Sequence, residues 1–454
     1  MNGNLMVTAS KRIKKTGRRI SLSSSTFWVC IVAFIGFILL RNLGEVNLPD
    51  LIVVAISAVV FLFLPIEDGM VFYALLIPFK TGIGMHSITL VFCVAAFLRH
   101  MRRTGGKFRM PIMALAIILV LEVINMAIGQ GDYPELLRYA VYLLWMYFIY
   151  EQLNSLHWDK KVITNIMKAF VGGLVIASLI VVIINGQNLT LAGLFNGQFR
   201  IGKTAEYSSL DSMLISFHVN DLAIFCASGI SLLVILTLNK HVNAVIGMAG
   251  ITYLLLVGFL TQSRTFVLMI ALLVVYLALV SGKNRWLYLL AIGIVTVVVL
   301  CLYKAGHLPV IDAILSRFNA TDMETMNGRT DIISAYNEVI FSNPIRLLTG
   351  YGVLDYRLYS TVGSAHNGSQ EMLVSCGLIG SFCLIYWYYF FGKTAQRRAG
   401  CRLRKNLINY APLLTVLLGI QGTQFVSQYH MFCIFIFSMI AIGLGECQDK
   451  ATLR

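Results

Sequence analysis

Arg264 sits in Leu260–Thr261–Gln262–Ser263–Arg264–Thr265, a polar hairpin tip between two apolar runs. A guanidinium presents a planar fork of donors that binds phosphate oxygens, often bidentately. A charge near membrane depth either faces a protein cavity or snorkels to the interface. Arg200, Arg317, Arg329, Arg346 and Arg357, with Lys203, fall in the two longest polar stretches between apolar blocks. Several such groups around one cavity could hold a pyrophosphate. Taken singly, each is equally a solvated loop charge or a lipid headgroup contact. His366 lies in Gly363–Ser364–Ala365–His366–Asn367–Gly368, just before another apolar run. An imidazole takes up a proton near neutral pH and could serve as a general base. Spacing alone does not separate that role from a bystander's.

Other polar residues are less informative. Asp221, after Asn220, opens an apolar helix, where a carboxylate suits the helix dipole as well as it suits catalysis. Glu122 lies inside an apolar run and must face protein or a cavity. Tyr386, Tyr388 and Tyr389 form a cluster of the kind found in interfacial aromatic belts. The nine cysteines include no Cys-x-x-Cys pair, so neither a zinc site nor a disulfide framework is expected. No carboxylate cluster asks for a metal, no cofactor is implied, and phosphate-loop, zinc-protease and nucleophile-elbow motifs are missing.

The elements that must position these groups are set by hydropathy. Of 454 residues, 58% are hydrophobic and only 13% charged, with a mean hydropathy of +0.78. That is far from the balance of a soluble domain. Stretches of the roughly 20 apolar residues needed to cross a bilayer recur along the chain. The expected fold class is an all-α polytopic membrane protein with about 12–14 transmembrane helices. Fourteen segments are expected: 27–40, 51–66, 70–83, 87–98, 111–128, 134–150, 169–184, 220–238, 244–260, 265–280, 287–303, 372–391, 411–425 and 431–444. The third and fourth are interrupted by Lys80, Gly82 and Gly84, as in a broken or re-entrant pair. Net charge is +15, but the basic residues cluster in short connections, which favours a membrane partner over nucleic acid. By the positive-inside rule both termini are cytoplasmic. The domain plan is a basic N-terminus over 1–26, helices over 27–303 with an outer loop at 185–219, a large partly helical extracytoplasmic loop at 304–371, helices over 372–446 and a tail at 447–454.

Three patterns give a resemblance to a known family. The first is Thr261–Gln262–Ser263–Arg264–Thr265 leading into an apolar helix. The second is Asn327–Gly328–Arg329, then Ser342–Asn343–Pro344 and Gly350–Tyr351–Gly352. The third is Ala365–His366–Asn367, Glu371 and Gly377–Leu378–Ile379–Gly380. In this order and spacing they resemble the bacterial O-antigen ligase and polysaccharide polymerase (Wzy-type) superfamily. The resemblance implies a metal-independent glycosyltransferase of the cytoplasmic (inner) membrane, acting on a polyprenyl-pyrophosphate-linked oligosaccharide among membrane lipids. It implies that Arg264 contacts the pyrophosphate, with Arg200 and Arg329 as further contacts, and that His366 is the catalytic histidine. Flippase and chain-length regulator proteins would be its partners in O-antigen, capsule or exopolysaccharide synthesis. The reading is a polymerase of repeat units. A ligase moving finished glycan to another acceptor is the near alternative, and a transporter or flippase of lipid-linked glycan is the alternative from another class.

Overall fold

The computed structural model of the protein describes residues 24–44, 46–79, 83–108, 111–129, 133–185, 201–202, 215, 217–280, 301, 304–306, 329–353, 367–400 and 402–445. Its helices are α1 (Ser24–Asn42), α2 (Leu51–Phe63), α3 (Ile66–Leu76), α4 (Met85–Thr104), α5 (Pro111–Ile128), α6 (Tyr133–Ser155), α7 (Lys160–Asn185) and α8 (Val219–Leu238). Then come α9 (Ala244–Leu260), α10 (Arg264–Val280), α11 (Arg329–Ser342), α12 (Pro344–Thr349), α13 (Gly368–Ala399), α14 (Leu403–Asn406), α15 (Ala411–Gly419) and α16 (Tyr429–Ile440). Among the described residues there is no strand. The protein is an all-α polytopic membrane protein. Among the described residues, five helices (α1, α5, α7, α8 and α13) are long and apolar enough to cross a bilayer by themselves, and α2, α9, α10 and the α16 segment are shorter apolar helices. Helices suit this setting because each satisfies its own backbone where water is absent.

Thirteen of the fourteen expected segments coincide with helices, and the remaining one, 287–303, lies outside the described residues except for position 301. The interrupted third segment is α3 followed by a 3-10 turn at Ile77–Phe79, and α4 starts after Gly84 in a left-handed conformation (φ 62°). Within the partly helical loop expected at 304–371, Arg329–Ser342 is α11, while 307–318 lies outside the described residues. Two boundaries move. α13 starts at Gly368, not Met372, because Asn367 caps it by accepting from the Ser369 and Gln370 amides (3.0 and 3.1 Å). The Asn343–Pro344 motif ends α11 and opens α12, again under an asparagine cap. In the tyrosine run, Tyr386 and Tyr389 are exposed, but Tyr388 is buried against Phe435 at 4.5 Å.

α8 is apolar on every face and almost wholly buried, as expected of a helix that other helices surround. It packs on α7, α9, α10 and α15. α13 is not one straight rod. At Gly377 (φ 64°, ψ −174°) the helix breaks into two pieces. The gap is filled by Gly350–Tyr351–Gly352: the Tyr351 amide donates to Val374 O and the Gly352 amide to Ser375 O, both at 2.9 Å. Gly350 is itself left-handed (φ 76°), and a Cβ there would collide with the Ser375 carbonyl. The two glycine patterns are therefore one packing unit, and side chains at either position would push the strand-like insert out of the kink. Glu122 of α5 closes the unit by accepting from the Val353 amide (3.0 and 2.9 Å). The carboxylate inside an apolar helix thus faces protein.

Candidate active site

The hairpin between α9 and α10 is built from its own polar side chains. Gln262 takes a left-handed conformation (φ 51°), which turns the chain sharply. Thr261 Oγ1 donates to Gly258 O (2.6 Å) and accepts from the Ser263 amide (3.2 Å). Ser263 Oγ donates to Asn220 Oδ1 (3.1 Å), tying the tip to the head of α8. Thr261, Gln262 and Ser263 are buried, whereas Arg264, the first residue of α10, is partly exposed. The tip thus holds Arg264 at a rim, on a helix N-terminus whose orphan amides favour an anion.

The residue after Arg200 reaches the same tip. Buried Ile201 donates its amide to Leu260 O at 2.9 Å. Arg200 itself lies outside the described residues, as does His366. The neighbour of His366 is the cap Asn367, at the head of α13. Arg329 begins α11, and its side chain is not described. Gln370 Nε2 links α13 to α11 by donating to Ile333 O (2.8 Å) and Asn337 Oδ1 (3.0 Å).

One segment, 420–428, joins these pieces. Gly422 lies against Thr265, where an added Cβ would stand 2.7 Å from Oγ1, and Gly368 lies against the Ile420 carbonyl at the same spacing. Ser369 Oγ donates to Gln421 Oε1 (2.9 Å). Glu371, wholly buried, accepts from the amides of Phe425, Val426 (3.0 Å) and Ser427 (3.1 Å), and from Ser427 Oγ. The heads of α10 and α13 therefore both pack on one segment, which a carboxylate holds at residues 425–427. The helix that follows places His430 Nε2 3.2 Å from Asp221 Oδ2 at the head of α8. His430 also stacks on Phe225 with 5.9 Å between centroids.

These tied pieces carry the motifs of the resemblance in chain order: the Ser263–Arg264–Thr265 tip, the glycine insert and the Glu371 helix with its Gly377 kink. Residues 249–385 match the O-antigen ligase (Wzy_C) family. The resemblance read from the sequence holds over that stretch, and members of this family are glycosyltransferase-like enzymes that act on lipid-linked glycans. No curated protein matches the chain. Within the matched stretch the structure explains three motif elements that composition leaves obscure. Gly350 and Gly352 thread the α13 kink, Glu371 fixes segment 425–427, and Asn367 caps α13. The Asp221–His430 pair escaped the sequence reading, which left Asp221 open between a helix-dipole partner and a catalytic role. The available signal was a histidine standing at the head of an otherwise apolar helix.

Proposed function

We propose that the protein is a polysaccharide polymerase, a glycosyltransferase that joins polyprenyl-pyrophosphate-linked oligosaccharide repeat units at the outer face of the bacterial cytoplasmic membrane. The observation that supports it most is the placement of the Arg264 rim and the head of α13, one residue from His366, against the same fixed segment 420–428. In this scheme Arg264, with Arg200 and Arg329, binds the pyrophosphate of the donor. His366 takes the proton of an acceptor sugar hydroxyl as that oxygen attacks the anomeric carbon. The bond from that carbon to the pyrophosphate oxygen breaks, and the arginines stabilise the charge left on the leaving group. Every step uses side chains of this chain, so activity is expected to persist in the presence of a chelator.

A ligase reading shares the donor chemistry and is favoured by the description of the matched family. The two differ in acceptor. Purified protein given one lipid-linked repeat unit and nothing else should yield a ladder of longer lipid-linked glycans if it polymerises. A single product that forms only when a second, different acceptor is supplied would replace the polymerase with the ligase.

A further inference from the structure

α12 does not sit level with the head of α13. The Leu348 carbonyl lies against Gly377. Gly377 is nine residues into α13 from Gly368, or about 14 Å along the axis at 1.5 Å per residue. On its other flank α12 is tied to α5. Arg346 Nη1 donates to Asn125 Oδ1 (2.7 Å), and Asn125 Nδ2 donates to Thr349 O (3.1 Å). The Val353 amide reaches further in, to Glu122, six residues before the end of α5 at Ile128. Both flanking helices are long and apolar enough to cross a bilayer.

The outward side of this element changes character along its length. On α11 the exposed residues Ser334, Asn337 and Glu338 are polar. Beyond them Phe341, Ile345 and Leu348 are 67%, 71% and 49% exposed. The Ser342–Asn343 turn between them spends its polar groups on the chain itself. Ser342 Oγ donates to Val339 O (2.9 Å), and Asn343 Oδ1 accepts from the Ile345 and Arg346 amides (3.0 and 3.3 Å). This apolar face does not stand alone. The exposed apolar residues of α13 begin at Leu378, immediately after the kink, and continue with Phe382. On α5 the exposed Ile124 and Ile128 flank Asn125. The face of α12 thus meets the edge of the apolar surface that two membrane-crossing helices turn outward.

Irregular backbone is tolerated at membrane depth only where protein satisfies its polar groups. This segment meets that condition. Pro344 has no amide to satisfy. The Gly350 amide donates to Arg346 O (2.7 Å), and the Tyr351 and Gly352 amides go to α13 and that of Val353 to Glu122. The Thr349 hydroxyl is turned onto Ile345 O (3.0 Å). A loop standing in water needs no such pairing. We propose that α12, with Phe341 at the end of α11, is immersed in the bilayer leaflet nearest the candidate active site, and that lipid acyl chains are the partner of the Phe341–Ile345–Leu348 face. The loop is then re-entrant. Its α11 part stays in water, its α12 part dips into hydrocarbon, and the bilayer holds the glycine insert in the α13 kink from outside.

The test uses full-length protein in lipid nanodiscs that hold one copy each. In the wild type, a phospholipid carrying a diazirine on its acyl chain is photolysed and the adducts are mapped by peptide mass spectrometry. Adducts should fall on Phe341, Ile345 and Leu348 and spare 334–338. In a second arm a fluorescent amino acid replaces Ile345, Leu348 or Ser334. Emission from positions 345 and 348 should lose most of its intensity to lipids bearing a nitroxide on the acyl chain and little to iodide in the buffer. Position 334 should show the reverse. Iodide quenching at 345 and 348 as strong as at 334 would overturn the proposal, as would lipid adducts missing from the apolar face or equally dense on 334–338. A face that is covered by a second copy of the chain, not by lipid, would read as open to iodide in these discs and would overturn it too. The photolabelling is done on the wild type, so it stands even if a variant fails to fold.

Discussion

The two ends of the helical bundle handle buried charge in opposite ways. Beside the candidate active site, Glu371 accepts from three consecutive amides and a hydroxyl, and Asp221 is paired with His430 at 3.2 Å. These carboxylates are spent on architecture. They fix segment 425–427 and the head of α8, and the arginine of the hairpin is left at the rim. Toward the other end of α4, Glu151 lies 3.5 Å from Arg103 Nη2 and 3.6 Å from His100 Nδ1, and Gln152 Oε1 has no hydrogen-bond donor among the described residues. The first end is preorganised by the protein itself, which is what transition-state stabilisation requires. The second leaves a buried amide oxygen without a donor among the described residues. Buried charge alone therefore does not mark a catalytic site; the way each charge is satisfied is more telling.

This contrast can be broken by substitution. The largest effect is expected at the rim. Removing one preorganised donor to a developing oxyanion costs about 10²–10³ in turnover. Arg264→Ala should show a loss of that size in product formation by purified protein, and Arg264→Lys should recover only part of it because the fork is gone. Unchanged turnover in well-folded Arg264→Ala would remove the arginine from the mechanism. Glu371→Leu comes next. It strands two buried amides, Phe425 and Val426, and the part-buried Ser427 amide; a buried unsatisfied amide costs about 1–3 kcal/mol, so thermal unfolding in detergent should shift down clearly and activity should fall with it. A variant as stable as wild type would show that segment 425–427 does not depend on the carboxylate. The smallest effect is expected at Arg346. It donates to Asn125 Oδ1 (2.7 Å) and lies over the Tyr351 ring at 5.3 Å, which steadies the glycine insert. Arg346→Leu should lower stability by about 1–2 kcal/mol and reduce turnover less than Arg264→Ala does. A turnover loss as deep as that of Arg264→Ala would move Arg346 from support to chemistry.

Much of the scaffold was legible in the sequence because the bilayer imposes one strong rule on composition. α5 and α9 fall on their expected boundaries to the residue, each bracketed by polar or proline signals. The Arg264 tip was legible for the same reason, since a polar hexapeptide between two apolar runs has few places to go. Features that depend on distant partners were hidden. Glu122 and Val353 are 231 residues apart, and nothing local says that one accepts from the other. The first turn of α13 read as loop because Glu371 looks like a solvated residue until its four donors are seen. Tyr388 read as part of a belt because a tyrosine's period on a helix does not reveal whether a phenylalanine waits on the inner face. His430 carries no motif, and only the fold sets it against Asp221.

The central claim is that one site holds a lipid pyrophosphate with arginines and activates a sugar hydroxyl with His366. The most direct test separates those two tasks in a single protein. Purified His366→Ala would be scored for binding of a lipid-linked oligosaccharide donor and, separately, for formation of longer glycan. Loss of a general base lowers rate by about 10²–10⁴-fold. The account predicts a loss of that depth in product with donor affinity close to wild type, because the arginines remain. Product formation at a rate near wild type would contradict it.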